Sequence, residues 1–244
     1  MTGDDITLPH EVAVALVFNG STAAVMMASP DDHMDFLRGF AVSEGVVGAA
    51  RDVTDIEVID HPNGIEVRGR IPENRAKALN ARRRALVGPV GCGLCGIESL
   101  DAAMSSPPCV PAAAAGIRAA ARAALAELDR LQAHRAEPRA MHAAAFFNTA
   151  GIVLMREDVG RHNALDKVIG AVGGMDVSAG GVLLTSRVSL DLLQKCARAG
   201  VPALCSVSRP TRAAVDLARR VGMTLCTLTP QDDLVFSAPG EVPE

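Results

Sequence analysis

The chain has 244 residues, of which 49% are hydrophobic, 21% are charged and 2% are aromatic, and its formal net charge is −4. This length and hydrophobic content allow a substantial core, whereas the scarcity of aromatic residues and the lack of a basic block argue against nucleic-acid binding. The sequence has no run of about eighteen apolar residues, so we expect no membrane span. The acidic first residues lack a signal pattern, which predicts a cytoplasmic protein.

The first predicted elements are a β-hairpin and a helix. Residues 12–27 contain two apolar runs on either side of Asn19-Gly20, which is a strong signal for a type I′ turn. Asp31 or Asp32 is expected to cap a helix that continues to about Glu44.

A second hairpin and two further helices follow. The apolar runs 54–59 and 65–71 predict the hairpin, and Pro72 then opens a helix at a position that tolerates proline. Prolines mark residues 107–111 as a linker. An alanine-rich helix is expected over about 113–133, with its apolar residues on one face: Ile117, Ala121, Ala124, Leu128 and Leu131.

The C-terminal half alternates short apolar strands with helices. This order is typical of crossover units on a mostly parallel sheet. Strands are expected at 152–155, 182–184, 201–207 and 223–228. We therefore expect an N-terminal α+β part, residues 1–106, and a C-terminal α/β part, residues 107–244, within one compact chain.

Three successive strand-to-helix loops of this half carry arginines, namely Arg161, Arg187 and Arg209. Such loops share one edge of a parallel sheet, and helix starts there present free N–H groups, which favours a ligand with anionic oxygens such as a phosphate. The alternative, that each arginine is a solvated side chain, stays open because the sequence does not give the strand order.

The most reactive chemistry is concentrated in Cys92-Gly-Leu-Cys95, inside the glycine-rich run 88–96. A short helical pattern follows, and a thiol near a helix start favours the thiolate. The pair could serve disulfide exchange, metal binding or sulfur carriage. A zinc site needs two further ligands, for which Cys109, His142 and His162 are candidates, but no second C-x-x-C is present. The other cysteines are expected to be small buried residues: Cys196, Cys205 and Cys226.

The chain resembles the formate dehydrogenase accessory sulfurtransferase family, FdhD, over about residues 9–228. The most specific stretch is 156–167, Arg-Glu-Asp-Val-Gly-Arg-His-Asn-Ala-Leu-Asp-Lys. Other matching stretches are 17–20, 37–45, the Cys92–Gly96 loop, 142–145, 185–189, Gln194-Lys195, 200–202 and 213–218.

The resemblance implies a cytidine-deaminase-like mixed sheet with flanking helices, plus a smaller N-terminal α+β subdomain built on hairpins. It also implies a sulfurtransferase that takes persulfide sulfur from a cysteine desulfurase. The sulfur would go to the molybdenum or tungsten bis-guanine-dinucleotide cofactor that formate dehydrogenase needs. By that similarity Cys92 carries the persulfide and Cys95 assists it. The residues expected to bind the cofactor are His142, Arg161, His162, Asn163 and Arg187. A homodimer without a permanently bound metal is expected.

The chain departs from the family pattern at two places. Residues 138–140 read Pro-Arg-Ala where the family has Thr-Gly-Gly, and residues 228–233 lack the expected arginines. Each lost charged contact to a phosphate should weaken binding by roughly 1.5–3 kcal/mol. Two other functions stay open, a cofactor-binding chaperone that does not transfer sulfur and a zinc-dependent hydrolase. Glu157 and Asp158 are either a base or, more simply, a helix cap or an ion pair with Arg161.

Overall fold

The computed structural model describes residues 8–85, 107–132 and 141–239. The N-terminal part contains these elements: β1 (Val12–Phe18), β2 (Ser21–Ala28), α1 (His33–Ser43), a 3-10 turn (Ala50–Asp52), β3 (Thr54–His61), β4 (Gly64–Arg70) and α2 (Glu73–Ala85). The remainder contains α3 (Ile117–Gln132), β5 (His142–Asn148), β6 (Gly151–Asp158), α4 (Arg161–Ala171), β7 (Gly181–Leu184), α5 (Leu190–Arg198), β8 (Ala203–Ser206), α6 (Arg212–Val221), β9 (Thr224–Leu228) and β10 (Asp233–Ser237).

The two predicted hairpins form one four-stranded sheet in the order β2-β1-β4-β3, with β1 and β4 parallel. Asn19 and Gly20 have φ angles of 48° and 78°, as a type I′ turn requires. The Asn19 carboxamide also holds the chain before α2. Its Oδ1 accepts from the Ile71 amide at 2.8 Å, and its Nδ2 donates to the Ile71 carbonyl at 3.0 Å. The predicted hairpins are therefore confirmed.

Helix α1 begins after Asp32, as predicted, but the expected side-chain cap is wrong. Asp32 adopts a left-handed conformation and forms no capping hydrogen bond. Its Oδ1 lies 3.3 Å from Arg156 Nε instead, and Asp35 Oδ2 accepts from Arg156 Nη2 at 2.8 Å. The acidic residues at this helix start thus connect α1 to strand β6.

The second sheet has six strands in the order β10-β9-β8-β7-β5-β6. Strands β7, β8 and β9 are parallel, as the sequence predicts, whereas β5 and β10 run antiparallel to their neighbours. The expectation of a mostly parallel sheet is therefore wrong, and the mixed sheet implied by the resemblance is confirmed. Strand β5, which the sequence analysis did not predict, separates β6 from β7.

Helices cover both faces of this sheet. On one face α3 buries Ile117, Ala121, Ala124 and Leu128, as expected, but Leu131 is 40% exposed and the prediction for it is wrong. On the other face α4, α5 and α6 lie in one continuous core with α1 and the first sheet. That core contains residues from both predicted parts of the chain. The division near residue 106 stays a prediction.

Helices α1 and α4 approach each other closely through two glycines. A Cβ atom on Gly39 would lie 1.6 Å from the Asp166 carbonyl oxygen, and one on Gly170 would lie 1.8 Å from the Asp35 carbonyl oxygen. Both distances are far below van der Waals contact. Because α4 carries much of the 156–167 stretch, this contact fixes the stretch against the N-terminal part.

Candidate functional site

One edge of the six-stranded sheet collects most of the predicted site residues. The carboxyl ends of β6 to β9 meet there, and antiparallel β5 brings its first residue, His142, opposite Asp158. Helices α4, α5 and α6 also begin at this edge. We call it the helix-start edge. Its helix starts direct free N–H groups and positive dipole ends outward, which suits an anionic ligand.

The three arginines lie at the helix-start edge and are not paired within the described part of the chain. Arg161 is the first residue of α4, and its Nε is buried without a hydrogen-bond partner there. Arg187 and Arg209 are exposed on the loops after the neighbouring strands β7 and β8. Strand β5 lies between the strand that leads to Arg161 and the other two. The shared edge is as predicted, and ligand contact by Arg161 and Arg187 stays a prediction.

Two histidines stand next to Arg161 and have different surroundings. Burial, and after it the charges of Arg161 and His162, lower the pKa of His142, so this imidazole is neutral near pH 7. His162 Nε2 is hydrogen-bonded to Asp191 Oδ2 on α5. The structure brings both predicted histidines to one place. Asp191 was not predicted, because an acidic residue in a first helical turn is ordinary and the sequence carries no other signal for it.

Asp158 has a structural use that differs from the prediction. Both Asp158 and Lys167 are fully buried, with 2.7 Å between Asp158 Oδ2 and Lys167 Nζ. Asp158 also accepts from the Ser29 and Gly160 amides at 3.0 and 2.8 Å. The predicted ion pair with Arg161 is therefore wrong for Asp158. Its charge is compensated by Lys167, and its acceptor oxygens hold the turn between β6 and α4.

Asn163 belongs to the same buried network. Its Nδ2 donates to Asp158 Oδ1 and to the Met27 carbonyl, both at 2.9 Å. The residue is 5% exposed. This amide nitrogen connects the start of α4 to strand β2, and the predicted contact with a cofactor stays a prediction.

A second buried ionic cluster is centred on Asp166, the residue of α4 that precedes Lys167. Asp166 accepts from Lys195 Nζ at 2.9 and 3.0 Å and from Ser43 Oγ at 2.6 Å. Lys195 also donates to Glu44 Oε1 at 2.6 Å. Burial raises the pKa of Asp166. For Lys195, burial is outweighed by Asp166 and Glu44, and its pKa is raised. The cluster joins α1, α4 and α5 behind the helix-start edge.

The divergent segment after β9 forms a compact turn. Asp232 N donates to Thr229 Oγ1 at 3.0 Å, and Thr229 N donates to the Asp232 carbonyl at 3.0 Å. Arg122 of α3 donates to the Thr229 carbonyl at 2.6 Å and pairs with Asp233. The carboxylate of Asp233, one of the acidic residues of this segment, is thus neutralised by Arg122. Residues 138–140 lie outside the described residues.

The reactive pair Cys92 and Cys95 also lies outside the described residues. Cys196, Cys205 and Cys226 are buried, which confirms the prediction for them, and Cys109 is exposed. Burial raises the pKa of Cys196, while the hydrogen bond shared with Cys226, and after it burial, raise the pKa of Cys205. Such thiols are poor nucleophiles near neutral pH.

The described ranges hold neither a candidate metal site nor a candidate membrane-spanning helix. Within them, no group of three or more His, Cys, Asp or Glu side chains could hold a metal ion. No helix in these ranges is long and apolar enough to cross a membrane.

A cleft of about 610 Å³ lies on the first sheet, away from the predicted site residues. Asp55, Glu57, Arg68 and Arg70 are among its lining residues. Much of this charge is internally paired, since Arg68 contacts Glu66 at 2.6 Å and Arg70 lies 3.6 Å from Asp55. The helix-start edge, with its unpaired arginines, is therefore the stronger candidate for an anion site.

Together, the fold and this edge define a two-sheet α/β protein whose helix starts and arginines suit an anionic ligand. Comparison with known proteins gives the family. The profile of the FdhD/NarQ family matches residues 9–242, and the chain belongs to that family.

Relatives and a solved structure agree with this assignment. The sulfur carrier protein FdhD of Agrobacterium fabrum is 44% identical over 230 residues, which cover 93% of this chain and 85% of that protein. The protein of the same name from Cupriavidus necator is 46% identical, with 88% and 76% covered. A crystal structure described as a formate dehydrogenase accessory protein from Desulfotalea psychrophila has a TM-score of 0.66 and 26% identity, with 96% and 89% covered. The likeness to cytidine deaminases stays a prediction.

Proposed function

We propose that this chain is a sulfur carrier that serves formate dehydrogenase maturation. The names of its relatives and of the similar solved structure support the role. The observation on which the proposal depends is the combination of Cys92-Gly-Leu-Cys95 in the sequence with the anion-accepting helix-start edge. One feature provides a nucleophile and the other provides a place for a phosphorylated acceptor.

In the loading step, the Cys92 thiolate attacks the terminal sulfur of a persulfide on a cysteine desulfurase. A new S–S bond forms on Cys92, the donor S–S bond breaks, and the desulfurase thiolate leaves, so atoms and electrons balance. Cys95 resolves or relays the carried sulfur. The acceptor is the guanine-dinucleotide form of the molybdenum or tungsten cofactor, as substrate, and the chain acts in the cytoplasm as a homodimer.

The helix-start edge holds the phosphates of that acceptor. Arg161 and Arg187 supply charge-assisted hydrogen bonds, and the starts of α4, α5 and α6 supply N–H groups and positive dipole ends. His142, which is neutral near pH 7, offers either an acceptor or a donor nitrogen without adding charge. Asn163 orders the turn from which Arg161 and His162 project.

The loading step is tested by intact-mass measurement after incubation with a cysteine desulfurase and cysteine. We expect one added sulfur atom on the wild type and none on Cys92→Ala. Cys109→Ala is the matched control, because Cys109 is exposed and should be dispensable. If Cys92→Ala acquires the same adduct, or the wild type acquires none, the proposed chemistry is wrong. Should Cys92→Ala still mature formate dehydrogenase while Arg187→Ala does not, the chain is a cofactor-binding chaperone.

The edge is tested separately by calorimetric titration with guanosine diphosphate. Loss of one charge-assisted contact in Arg187→Ala should weaken binding by about 10- to 100-fold. Arg219→Ala is the control, because Arg219 lies in the last turn of α6, at the far end from the edge. Equal affinity of all three proteins would remove the edge from the proposal.

A further inference from the structure

His162, which is expected to bind the cofactor, is paired with Asp191, a carboxylate that has no part in the function described so far. His162 is the second residue of α4 and Asp191 the second residue of α5, so both project from helices that begin at the helix-start edge. Burial is the largest single influence on the pKa of Asp191 and acts to raise it, but the hydrogen bond from His162, further hydrogen bonds and the charge of His162 together outweigh burial and hold this pKa well below its usual range. Asp191 is therefore a carboxylate that can only accept, and the proton of the shared hydrogen bond belongs to His162 Nε2.

The other ring nitrogen, Nδ1, forms no hydrogen bond within the described residues. The ring is bonded to Asp191 on α5 and interacts electrostatically with His142 on β5, and His142 in turn interacts with Arg161 on α4 and with Asp158 at the end of β6. Asp158 is already compensated by Lys167, and His142 is neutral near pH 7. Among these groups, Asp191 is the anion that bonds the ring directly.

We propose that His162 makes a proton-dependent contact with an anionic phosphate oxygen at the helix-start edge, and that Asp191 is its positioning residue. This inference rests on the proposed function of the edge. In the protonated ring, Nε2–H stays bonded to Asp191 while Nδ1–H donates to the phosphate. In the neutral ring, the proton stays on Nε2, and the lone pair of Nδ1 faces the anion and repels it. Ligand binding is therefore coupled to uptake of one proton.

The probe for this coupling is GDP-mannose, whose pyrophosphate diester does not itself titrate near neutral pH. Its affinity is measured by calorimetry across a pH series, in two buffers of different ionisation enthalpy so that bound protons are counted. We expect proton uptake in the wild type and an affinity that falls as the pH rises. His162→Gln should bind about tenfold more weakly at the acidic end, equal the wild type at the alkaline end, and take up no proton.

The role of Asp191 is tested with Asp191→Asn, which keeps the size and the hydrogen-bonding ability of the side chain but removes its charge. Its side chain is 47% exposed, so the fold should tolerate the change. We expect the pH profile of affinity to move toward lower pH, because the neutral amide no longer stabilises a positively charged ring. Asp176→Asn is the control, because Asp176 is exposed, accepts from the Ser178 amide of its own turn, and lies on the loop after α4, away from the edge.

The outcomes separate the two proposals. If the wild type does not bind GDP-mannose at any pH, the proposed function of the edge fails. If it binds without proton uptake, or if His162→Gln keeps the wild-type profile, only the inference about His162 fails. If Asp191→Asn loses affinity equally at every pH, or keeps the wild-type profile, Asp191 is not a positioning residue.

Discussion

Gly39→Ala should disrupt the contact between α1 and α4. The added methyl group would meet the Asp166 carbonyl oxygen at 1.6 Å, and that oxygen belongs to helix backbone that cannot rotate away. Restoring van der Waals contact requires the helices to separate by about 2 Å. Buried side chains on both helices, such as Phe40 and Leu165, would then lose packing. Overpacking usually costs about 1–3 kcal/mol, and we expect a loss at or above the upper end of that range.

Urea denaturation followed by circular dichroism measures this loss in free energy of unfolding. Gly174→Ala is the matched control, since a Cβ atom there would meet nothing within 4 Å. We expect the control to stay within about 0.5 kcal/mol of the wild type. Gly39→Ala should also weaken nucleotide binding at the helix-start edge, because α4 carries Arg161. A Gly39→Ala protein as stable as the Gly174→Ala control would show that the helices are not held at the described distance.

Three further predictions concern charge and thiols. Lys167→Met leaves the carboxylate of Asp158 buried and without its cation, so the free energy of unfolding should fall by about 3–5 kcal/mol in the same urea denaturation assay. Arg212→Ala is the control, because it breaks an exposed ion pair and should cost less than about 1 kcal/mol. Burial lowers the pKa of His142, so the unfolded chain binds more protons below about pH 6.5 and the free energy of unfolding falls as the pH drops. In a pH series of urea titrations, His142→Gln should reduce that fall by at most about 1.4 kcal/mol per pH unit, and an unchanged slope would contradict the lowered pKa. Brief iodoacetamide treatment of the native protein, read by peptide mass spectrometry, should label Cys109 and spare the three buried thiols, Cys196, Cys205 and Cys226. Labelling of any of these three before unfolding would contradict their burial.

Local sequence patterns were sufficient to predict many of the strands and helices. The turn at Asn19-Gly20 requires positive φ angles that few residue pairs adopt, so its hairpin was predictable. The parallel strands β7, β8 and β9 were predictable because apolar runs alternate with helical stretches. Strand β5 was missed because His142–Asn148 is rich in alanine, which does not favour strands, and its burial between β6 and β7 decides its conformation.

Residue partners were harder to predict than elements. The sequence shows Asp158 and Lys167 within one motif, but an ion pair with Arg161 was equally compatible with the spacing. The choice depends on which side of α4 faces the N-terminal sheet, where Ser29 supplies an amide to Asp158 and a carbonyl to Lys167. Contacts of this kind join residues more than a hundred positions apart, and a single sequence carries no local signal for them.

Two residues that are neighbours in the chain, Asp166 and Lys167, carry opposite charges and are neutralised by different elements, Lys195 on α5 and Asp158 at the end of β6. Substitution of either residue alone would leave an unpaired charge in the interior, and a rotation of α4 about its axis would separate both ion pairs at once. Divergence at these positions should therefore proceed by compensated replacement, in which each acid and its base change together. Among distant homologues, we expect the two couples to vary as independent units while the orientation of the helix is preserved.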